Sequence, residues 1–345
     1  SIDMDDTANS AGSKRLRVAI QVTGLLYVAG MTALLVANHY LRQALPFVAL
    51  ASTFSLFLFV AALPLAFCLI LLRTRIALAT LILLTILFLT ANPLFPQLSA
   101  ILPAGNQGAA VSMMTFNLGW ELTSPELLAQ TIADSQADVV AVQEVTAQAA
   151  TILTREQAAT YPYRILDPAA GTTGLLSKLP IVSYQWLTPP RGRPFPRVVV
   201  DQGGAQWHIF PIHFYPPGIL WWERLHLPRG LIEADLEAEV AYLLQQIAAV
   251  SGPVVVLGDF NMSDQSRAYS AMTSRLQDSF RQAGMGLGRT FPNNFRWAGV
   301  PIPVPLVRID YVFHSTHLET TSAAVHCVAG QSDHCAVMVY LRHLE

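Results

Sequence analysis

The stretch VVVLGDFNMSD, residues 254–264, decides the fold, because a strongly apolar run ends here in polar side chains. The apolar residues lead into Gly258, and Asp259 and Asn261 follow directly. Gly, Asp and Asn are common turn formers, so a turn after a buried strand is one interpretation. A carboxylate beside buried apolar residues is costly unless it is paired or bound to a cation. A functional site at the end of the strand is therefore the second interpretation.

The same arrangement recurs along the chain from Val111 onward, where strand-like runs end or begin at polar side chains. Any one of these residues alone is explained by a cap or a turn. Their joint occurrence predicts that the strand ends converge on one site. The residues concerned are Asn117, Glu144, His213, Asp259, Asn261, Asp310, Asp333 and His334.

Such a set of side chains suits the hydrolysis of a phosphoester. Carboxylate oxygens bind hard cations such as Mg²⁺, which leave positions for phosphate oxygens. A protonated histidine offsets developing negative charge, and a second carboxylate accepts a proton from the attacking water. The sequence contains no Cys/His zinc spacing, P-loop or G-x-S-x-G motif, which leaves no motif for these rival chemistries.

Five short motifs, in this order, resemble the endonuclease/exonuclease/phosphatase superfamily. They are FN at 116–117, QE at 143–144, GDFN at 258–261, RIDYVF at 308–313 and SDH at 332–334. The resemblance covers roughly residues 111–342. It implies an α+β fold, a four-layer αββα sandwich with the site at one edge of the paired sheets.

The resemblance also implies a metal site. Glu144 is expected to be the principal ligand, with Asn117 and Asp333 close to the cation. Mg²⁺ is the expected cofactor, with Mn²⁺ or Ca²⁺ as alternatives. Many nucleases of the superfamily carry an acidic residue two positions after the first Asn, where this chain has Gly119. A ligand set that depends on that acid would lack one member.

The catalytic residues implied by the resemblance lie in the last three motifs and at His213. Asp259 is expected to activate the attacking water, assisted by Asn261, and Asn117 is also expected to be a catalytic residue. His334, oriented by Asp310, is expected to contact the scissile phosphate. His213 would be a second histidine on the phosphate side.

The first hundred residues are mainly apolar and contain few charges, which explains why the chain has a mean hydropathy of +0.41 with only 13% charged residues. Three successive uncharged runs are each about 20 residues or longer, enough to cross roughly 30 Å of hydrocarbon. We therefore predict three transmembrane helices, at 18–38, 46–72 and 76–95. A buried helical bundle of a soluble protein is the alternative.

The distribution of cations predicts the orientation. Three cations precede the first predicted span and two separate the second from the third, whereas Arg42 alone lies between the first and the second. The positive-inside rule then places residues 1–17 in the cytoplasm and the domain 111–345 on the periplasmic or extracellular side of the plasma membrane. Residues 96–110, rich in Pro, Gly and Ala, are expected to be a short linker.

The segment that follows His213 bears on the substrate. Residues Ile219–Trp222 form an apolar patch that either folds onto its own core or faces a membrane, since Trp favours the headgroup level of a bilayer. We expect a lipid-linked or small phosphoester as the substrate. A membrane-tethered nuclease is the first alternative, with scattered arginines at 191, 193, 197, 289, 296 and 308 as candidate phosphate contacts. A non-catalytic membrane sensor or scaffold is the second.

The expected elements of the outer domain are seven strands and three helices. The helices are predicted over 124–135, 228–250 and 264–276. We expect Cys327 and Cys335 to be two buried thiols, with a disulfide in an oxidising compartment as the alternative. The net charge of −2 does not indicate a polyanion-binding protein.

Overall fold

The computed structural model describes residues 3–94, 110–119, 124–294, 296–297, 299–302, 304–328 and 332–344. The predicted linker at 96–110 lies, apart from its last residue, outside these ranges. The chain forms two compact units. One comprises Ser1–Pro93 and Leu220–Leu231, and the other comprises Leu94–Ile219 and Ile232–Glu345.

The first unit is mainly helical. Arg73 adopts a left-handed conformation that ends the fourth helix, and the Thr74 hydroxyl accepts a hydrogen bond from the Ala77 N–H at the start of the fifth. Buried Arg42 donates hydrogen bonds to the side chains of Asn38 and Thr53. The helices are α1 (Asp3–Leu41), α2 (Pro46–Thr53), α3 (Ser55–Ala61), α4 (Leu63–Leu72) and α5 (Arg75–Ala91).

The prediction of three transmembrane helices is corrected by these boundaries. Among the described residues, one helix, Gly12–Leu41, is long and apolar enough to cross a membrane. The predicted span 46–72 is three helices, and α3 with α4 counts as one further span at most, because the two are bent by 42°. Pro64 lies in the first turn of α4 and has no N–H to continue the preceding helix. Helix α5, with 17 residues, is shorter than a typical span.

A two-stranded hairpin, β8 (Gly218–Trp222) and β9 (Leu227–Ile232), contributes its central residues to the helical unit. Gly230 lies so close to α2 that a Cβ atom at this position would be 2.6 Å from the Pro46 Cβ. Trp221 and Trp222 are 48% and 54% exposed. The interpretation that this patch folds onto its own core is therefore wrong for both tryptophans.

The first sheet of the second unit has the strand order β15-β16-β1-β2-β4-β3. Strand β1 is buried along its whole length and pairs parallel to β2 and antiparallel to β16. The strands are β1 (Val111–Asn117), β2 (Val139–Gln143), β3 (Tyr163–Ile165), β4 (Gly174–Ser177), β15 (Leu318–His326) and β16 (Ala336–His343).

The second sheet has the strand order β11-β14-β10-β7-β6-β5. Strand β10 lies near its centre, parallel to β7 and antiparallel to β14. The strands are β5 (Ile181–Leu187), β6 (Phe195–Gln202), β7 (Ala205–His213), β10 (Val254–Asp259), β11 (Gln277–Asp278) and β14 (Asp310–His314). A short separate hairpin comprises β12 (Arg296–Trp297) and β13 (Val300–Pro301).

Three apolar clusters give this unit its layers. Residues from both sheets, such as Met113 and Val255, form the cluster between them. Helices α6 (Pro125–Ser135) and α7 (Ala147–Glu156) pack on the outer face of the first sheet. Helices α8 (Ala234–Ala248) and α9 (Arg267–Thr273) pack on the outer face of the second, and α10 (Ser279–Ala283) follows β11. The two-sheet sandwich with helices on both sides agrees with the αββα expectation.

The helix predicted over 228–250 begins later than expected. Its first residues form β9 instead, and α8 starts at Ala234. The apolar spacing of Leu231 and Ile232 fits either element, and Pro228 and Gly230 disfavour a helix interior. Helix α7 escaped prediction because its apolar residues are mostly small alanines, although Thr146 caps it.

Cys327 and Cys335 form a disulfide, so the prediction of two buried thiols is wrong. Cys335 is buried next to β16, whereas Cys327 is exposed at the end of β15. The two strands are antiparallel neighbours, and this pairing brings the cysteines together. The spacing of the two cysteines in the sequence does not predict the register of β15 against β16.

Candidate active site at the edge of the two sheets

The register of the second sheet places three of the predicted side chains next to one another. Asp259, the last residue of β10, is the Cα partner of His213 on β7 and of Asp310 on β14. All three residues are buried. Neighbouring strands lie about 5 Å apart, so three ionisable groups share one end of the sheet.

Gly258 explains how the chain reaches this position. Its φ is +154°, and a Cβ atom here would overlap the carbonyl oxygen of Ile212 on the adjacent strand. Asn261 follows in the left-handed region with φ +49°. Its N–H donates to Asp259 Oδ1 at 2.9 Å, and its Nδ2 donates to the Phe214 carbonyl at 2.9 Å. The turn residues therefore also hold Asp259 in place.

Asn117 links the two sheets at this edge. It ends β1 in the first sheet, and its Nδ2 donates to Asp259 Oδ2 in the second sheet at 3.0 Å. The same nitrogen lies 3.3 Å from Glu144 Oε1, just beyond the end of β2. Asn117 Oδ1 accepts from the Gly119 N–H at 3.0 Å. The side-chain amide of Asn117 therefore donates toward both carboxylates, Asp259 and Glu144.

Asp310 and His334 form a buried pair. His334 Nδ1 is 2.9 Å from Asp310 Oδ2, and His334 Nε2 points toward Asp259 Oδ2 at 3.8 Å. The side chain of Thr290 supports the pair by accepting from the Asp310 N–H at 3.2 Å. The Phe291 ring lies 4.7 Å from the imidazole. The predicted orientation of His334 by Asp310 thus has the expected geometry.

Burial and the neighbouring charged groups determine the pKa values of His334 and Asp259. Burial alone would lower the pKa of His334, but Asp310 and Asp259 raise it well above the ordinary value. Burial raises the pKa of Asp259, and His334 with the amide donors opposes this rise. A positively charged His334 between two carboxylates is the protonation state that follows from these contacts.

His213 has a different environment. A guanidinium nitrogen of Arg193 contacts His213 Nε2, and the ring lies 3.6 Å from Asp259 Oδ2 and 3.8 Å from Glu144 Oε1. Burial and the charges of Arg193 and His334 lower the pKa of His213 well below its ordinary value. A neutral His213 accepting from Arg193 is consistent with this contact. An ion pair between His213 and either Asp259 or Glu144 is not consistent with the lowered pKa of His213.

The loop that carries Arg193 is held by a buried carboxyl group on α8. Glu239, which is 1% exposed, accepts a hydrogen bond at Oε2 from the Tyr215 N–H at 3.1 Å. Gly192, with φ +118°, lies against the same side chain, and a Cβ there would overlap Glu239 Oε1. The Arg193 guanidinium then lies over the Tyr215 ring at 4.8 Å.

Glu144 faces a polar cleft that could hold a cation. The cleft has a volume of about 540 Å³ and is also lined by Glu126, Thr146 and Gln148. Carboxylate, hydroxyl and amide oxygens are ligands for Mg²⁺, so the donor set fits the implied metal. Asp259, Asp310 and His334 also have ligand atoms within 4.8 Å of one another. The hydrogen bond between Asp310 and His334 already explains why the ligand atoms of this second group lie close together.

The SDH motif is fixed by its serine. Ser332 Oγ donates to the Asn117 carbonyl at 2.7 Å and accepts from the His334 N–H at 3.0 Å. Asp333 is half-buried, and its negative charge raises the pKa of His334. Its role as a metal ligand stays a prediction, as does that of Asn117.

Sequence reasoning missed Arg193 as a residue of this site. It was one of several scattered cations, and no motif distinguished it. Its position two residues before β6, which pairs with the strand ending at His213, is the signal that could have found it. Glu239 acts on the site through the Tyr215 backbone N–H, a contact that leaves no pattern in a single sequence.

Solved structures with the same fold have little sequence identity to this chain. An endonuclease/exonuclease/phosphatase from Bacteroides vulgatus matches with a TM-score of 0.52 and 18% identity, covering 69% of this chain and 100% of its own. One from Beutenbergia cavernae matches with a TM-score of 0.51 and 18% identity, covering 68% and 72%. A humanised TDP2 of D. rerio matches with 0.51 and 15%, covering 68% and 100%. No curated protein sequence matches significantly.

The fold and the side chains at its edge define a two-sheet sandwich of the phosphoester-hydrolase type. The model of the endonuclease/exonuclease/phosphatase family matches residues 114–334, more than half of the chain. The chain belongs to this family, whose members are phosphoester hydrolases.

Proposed function

We propose that this protein is a membrane-anchored, divalent-metal-dependent phosphoester hydrolase whose outer domain acts on a lipid-linked or small phosphoester. The observation that carries the proposal is the hydrogen bond between Asn117 and Asp259, which joins the metal-side carboxylate Glu144 to the buried Asp310–His334 pair. Three carboxylates and a cationic histidine in one largely buried network are costly for a purely structural cluster and are typical of a functional site.

The side chains divide the reaction between them. Asp259, oriented by Asn117 and Asn261, accepts a proton from the attacking water. His334, kept protonated by Asp310, stabilises the charge that develops on the phosphate oxygens. Glu144 would hold Mg²⁺, which supplies charge neutralisation at the phosphate when bound.

Two features support a membrane location with the catalytic domain outside the cytoplasm. The apolar helix Gly12–Leu41 can serve as an anchor. The disulfide between Cys327 and Cys335 is typical of proteins in oxidising compartments, such as the bacterial periplasm or the cell exterior. The cytoplasmic placement of residues 1–17 follows from the flanking cations.

The exposed hairpin supports a substrate at the membrane. Trp221 and Trp222 are about half exposed, and Leu225 is 64% exposed. Tryptophan favours the headgroup level of a bilayer. A phosphorylated headgroup near that surface is therefore our preferred substrate.

A nuclease is the second candidate, since several arginines lie in the catalytic unit. Two of them are engaged elsewhere: Arg308 is buried with Asp278, and Arg191 pairs with Asp235 at 2.9 Å. A nucleic-acid groove needs several cations along one track. A non-catalytic sensor is disfavoured by the intact Asp310–His334 pair.

The test uses the full chain in lipid nanodiscs with Mg²⁺, Mn²⁺, Ca²⁺ or chelator. The substrates are a chromogenic phosphodiester, phospholipids, a polyprenyl diphosphate and plasmid DNA. We expect metal-dependent cleavage of a lipid or small phosphoester, lost in Asp259→Asn and retained in Asp167→Asn, which alters an exposed loop carboxylate. The absence of cleavage with every cation would refute the enzyme. Cleavage of DNA alone would replace the lipid preference with the nuclease.

A further inference from the structure

A second cavity lies on the outer face of the first sheet. It has a volume of about 350 Å³. Met114 and Phe116 of β1 and Ala336 and Met338 of β16 line it with apolar side chains that are almost completely buried. Part of α6 forms a wall. The size and the lining are those of a small-molecule pocket.

The cavity extends along the last strand. Its lining residues run from His334, two residues before β16, to Tyr340 within it, about 20 Å at the rise of a β-strand. That length accommodates an extended hydrocarbon chain.

Away from His334, the walls disfavour an anionic headgroup as the occupant. Among the described lining residues there is no Lys or Arg, and Asp134 is the only carboxylate. Hydroxyl groups of Thr131, Ser135 and Ser322 lie in the lining beside the apolar floor. A phosphate would be repelled by Asp134, whereas an alkyl chain gains from the burial of apolar surface.

His334 connects the cavity with the candidate active site, because it lines the cavity and its imidazole bonds to Asp310. A phosphoester held beside His334 has its alkyl substituent within reach of the apolar floor. We propose that this cavity binds the hydrocarbon chain of the substrate, esterified to the phosphate that is cleaved. The inference rests on the proposed phosphoester hydrolysis and adds the recognition of a single aliphatic chain.

A series of p-nitrophenyl alkyl phosphates tests the inference, because each ester releases the same chromophore and only the chain length varies. The full chain in nanodiscs is assayed with Mg²⁺ and esters below their micellar concentrations. We expect kcat/KM for the octyl ester to exceed that for the methyl ester by at least about a hundredfold, since each buried methylene contributes about fourfold.

Ala324 provides the decisive variant, because it lines the cavity from β15 and is only partly buried. Ala324→Phe should remove the preference for the octyl ester, so that the ratio of kcat/KM between the octyl and the methyl ester falls toward one. Val182→Phe introduces the same aromatic side chain on β5, at a position that is 54% exposed and outside the cavity lining, and should leave this ratio unchanged.

Binding of alkylphosphonates separates this inference from the proposed function, since it needs no turnover. We expect octylphosphonate to bind more tightly than methylphosphonate, and Ala324→Phe to remove the difference. That result without cleavage of any ester would refute the hydrolase and support the chain site. Cleavage that is independent of chain length, or equal in Ala324→Phe and wild type for the octyl ester, would refute the chain site alone.

Discussion

The buried carboxyl group of Glu239 makes the stability of the second unit depend on pH. Burial raises its pKa from 4.5 to about 7, against the opposing effect of the backbone N–H groups of Tyr215 and Arg193. The folded state therefore holds this proton more tightly than the unfolded chain. The resulting contribution to stability is complete below pH 4.5 and is lost as the pH rises through about 7.

The variant Glu239→Gln removes this dependence and keeps the shape of the side chain. At 1.36 kcal/mol per pH unit, the change in pKa corresponds to at most roughly 3 kcal/mol. Below pH 4.5 the variant and the wild type should have similar free energies of unfolding. At pH 8 the variant should gain up to that amount, or about 6–12 °C in melting temperature for a domain of this size.

Thermal unfolding of the full chain in detergent, followed by tryptophan fluorescence between pH 4 and 8, measures this difference. Other titrating groups act on both proteins and cancel in the comparison. Glu237→Gln on the same helix is the control, because Glu237 is only partly buried and the Tyr215 N–H donates to Glu239 instead. A difference in melting temperature that stays constant from pH 4 to 8 would contradict the reasoning.

Four other predictions concern the site itself. Asp310→Asn removes the charged partner of His334 and should lower kcat about 10²–10⁴-fold, with Asp310→Glu partly active in the same steady-state assay. Gly258→Ala should cost at least about 2 kcal/mol in the free energy of unfolding, seen as a lower melting temperature, because the new Cβ overlaps the neighbouring strand. Chelation should abolish turnover and Mg²⁺ should restore it, with Glu144→Gln needing more metal in a titration. Arg193→Ala should raise KM and weaken inhibition by inorganic phosphate, and Arg193→Lys should recover only part of the loss.

The position of the site could be predicted from the sequence because its residues stand where buried strands end. Asn117, Asp259 and Asp310 each interrupt or close an apolar run, and parallel and antiparallel pairing then brings these ends together. The resemblance supplied the expectation that the site lies at one edge of the paired sheets. The hydrogen bond from His334 to Asp310 is the contact that the resemblance implied.

Other features depend on contacts that a single sequence does not encode. Residues 228–232 have the apolar spacing of either a helix or a strand, and the hairpin partner decided the outcome. The disulfide required the register of β15 against β16. Arg193 reaches the site because Glu239, far along the chain, holds its loop. The predicted spans failed where Pro64 divides an apolar run that composition alone treats as continuous.

The bond between Asn117 and Asp259 bears on how the proposed hydrolase can be divided into fragments. Each partner belongs to a different sheet, so neither half of the sandwich holds the complete set of proposed reactive groups. A fragment that ends before β5 would carry Asn117 and Glu144 without the proposed base Asp259, and the complementary fragment would carry Asp259 without them. Under the proposed mechanism, turnover would require the two sheets to pack together, and two inactive fragments would recover turnover only by reassembling the sandwich.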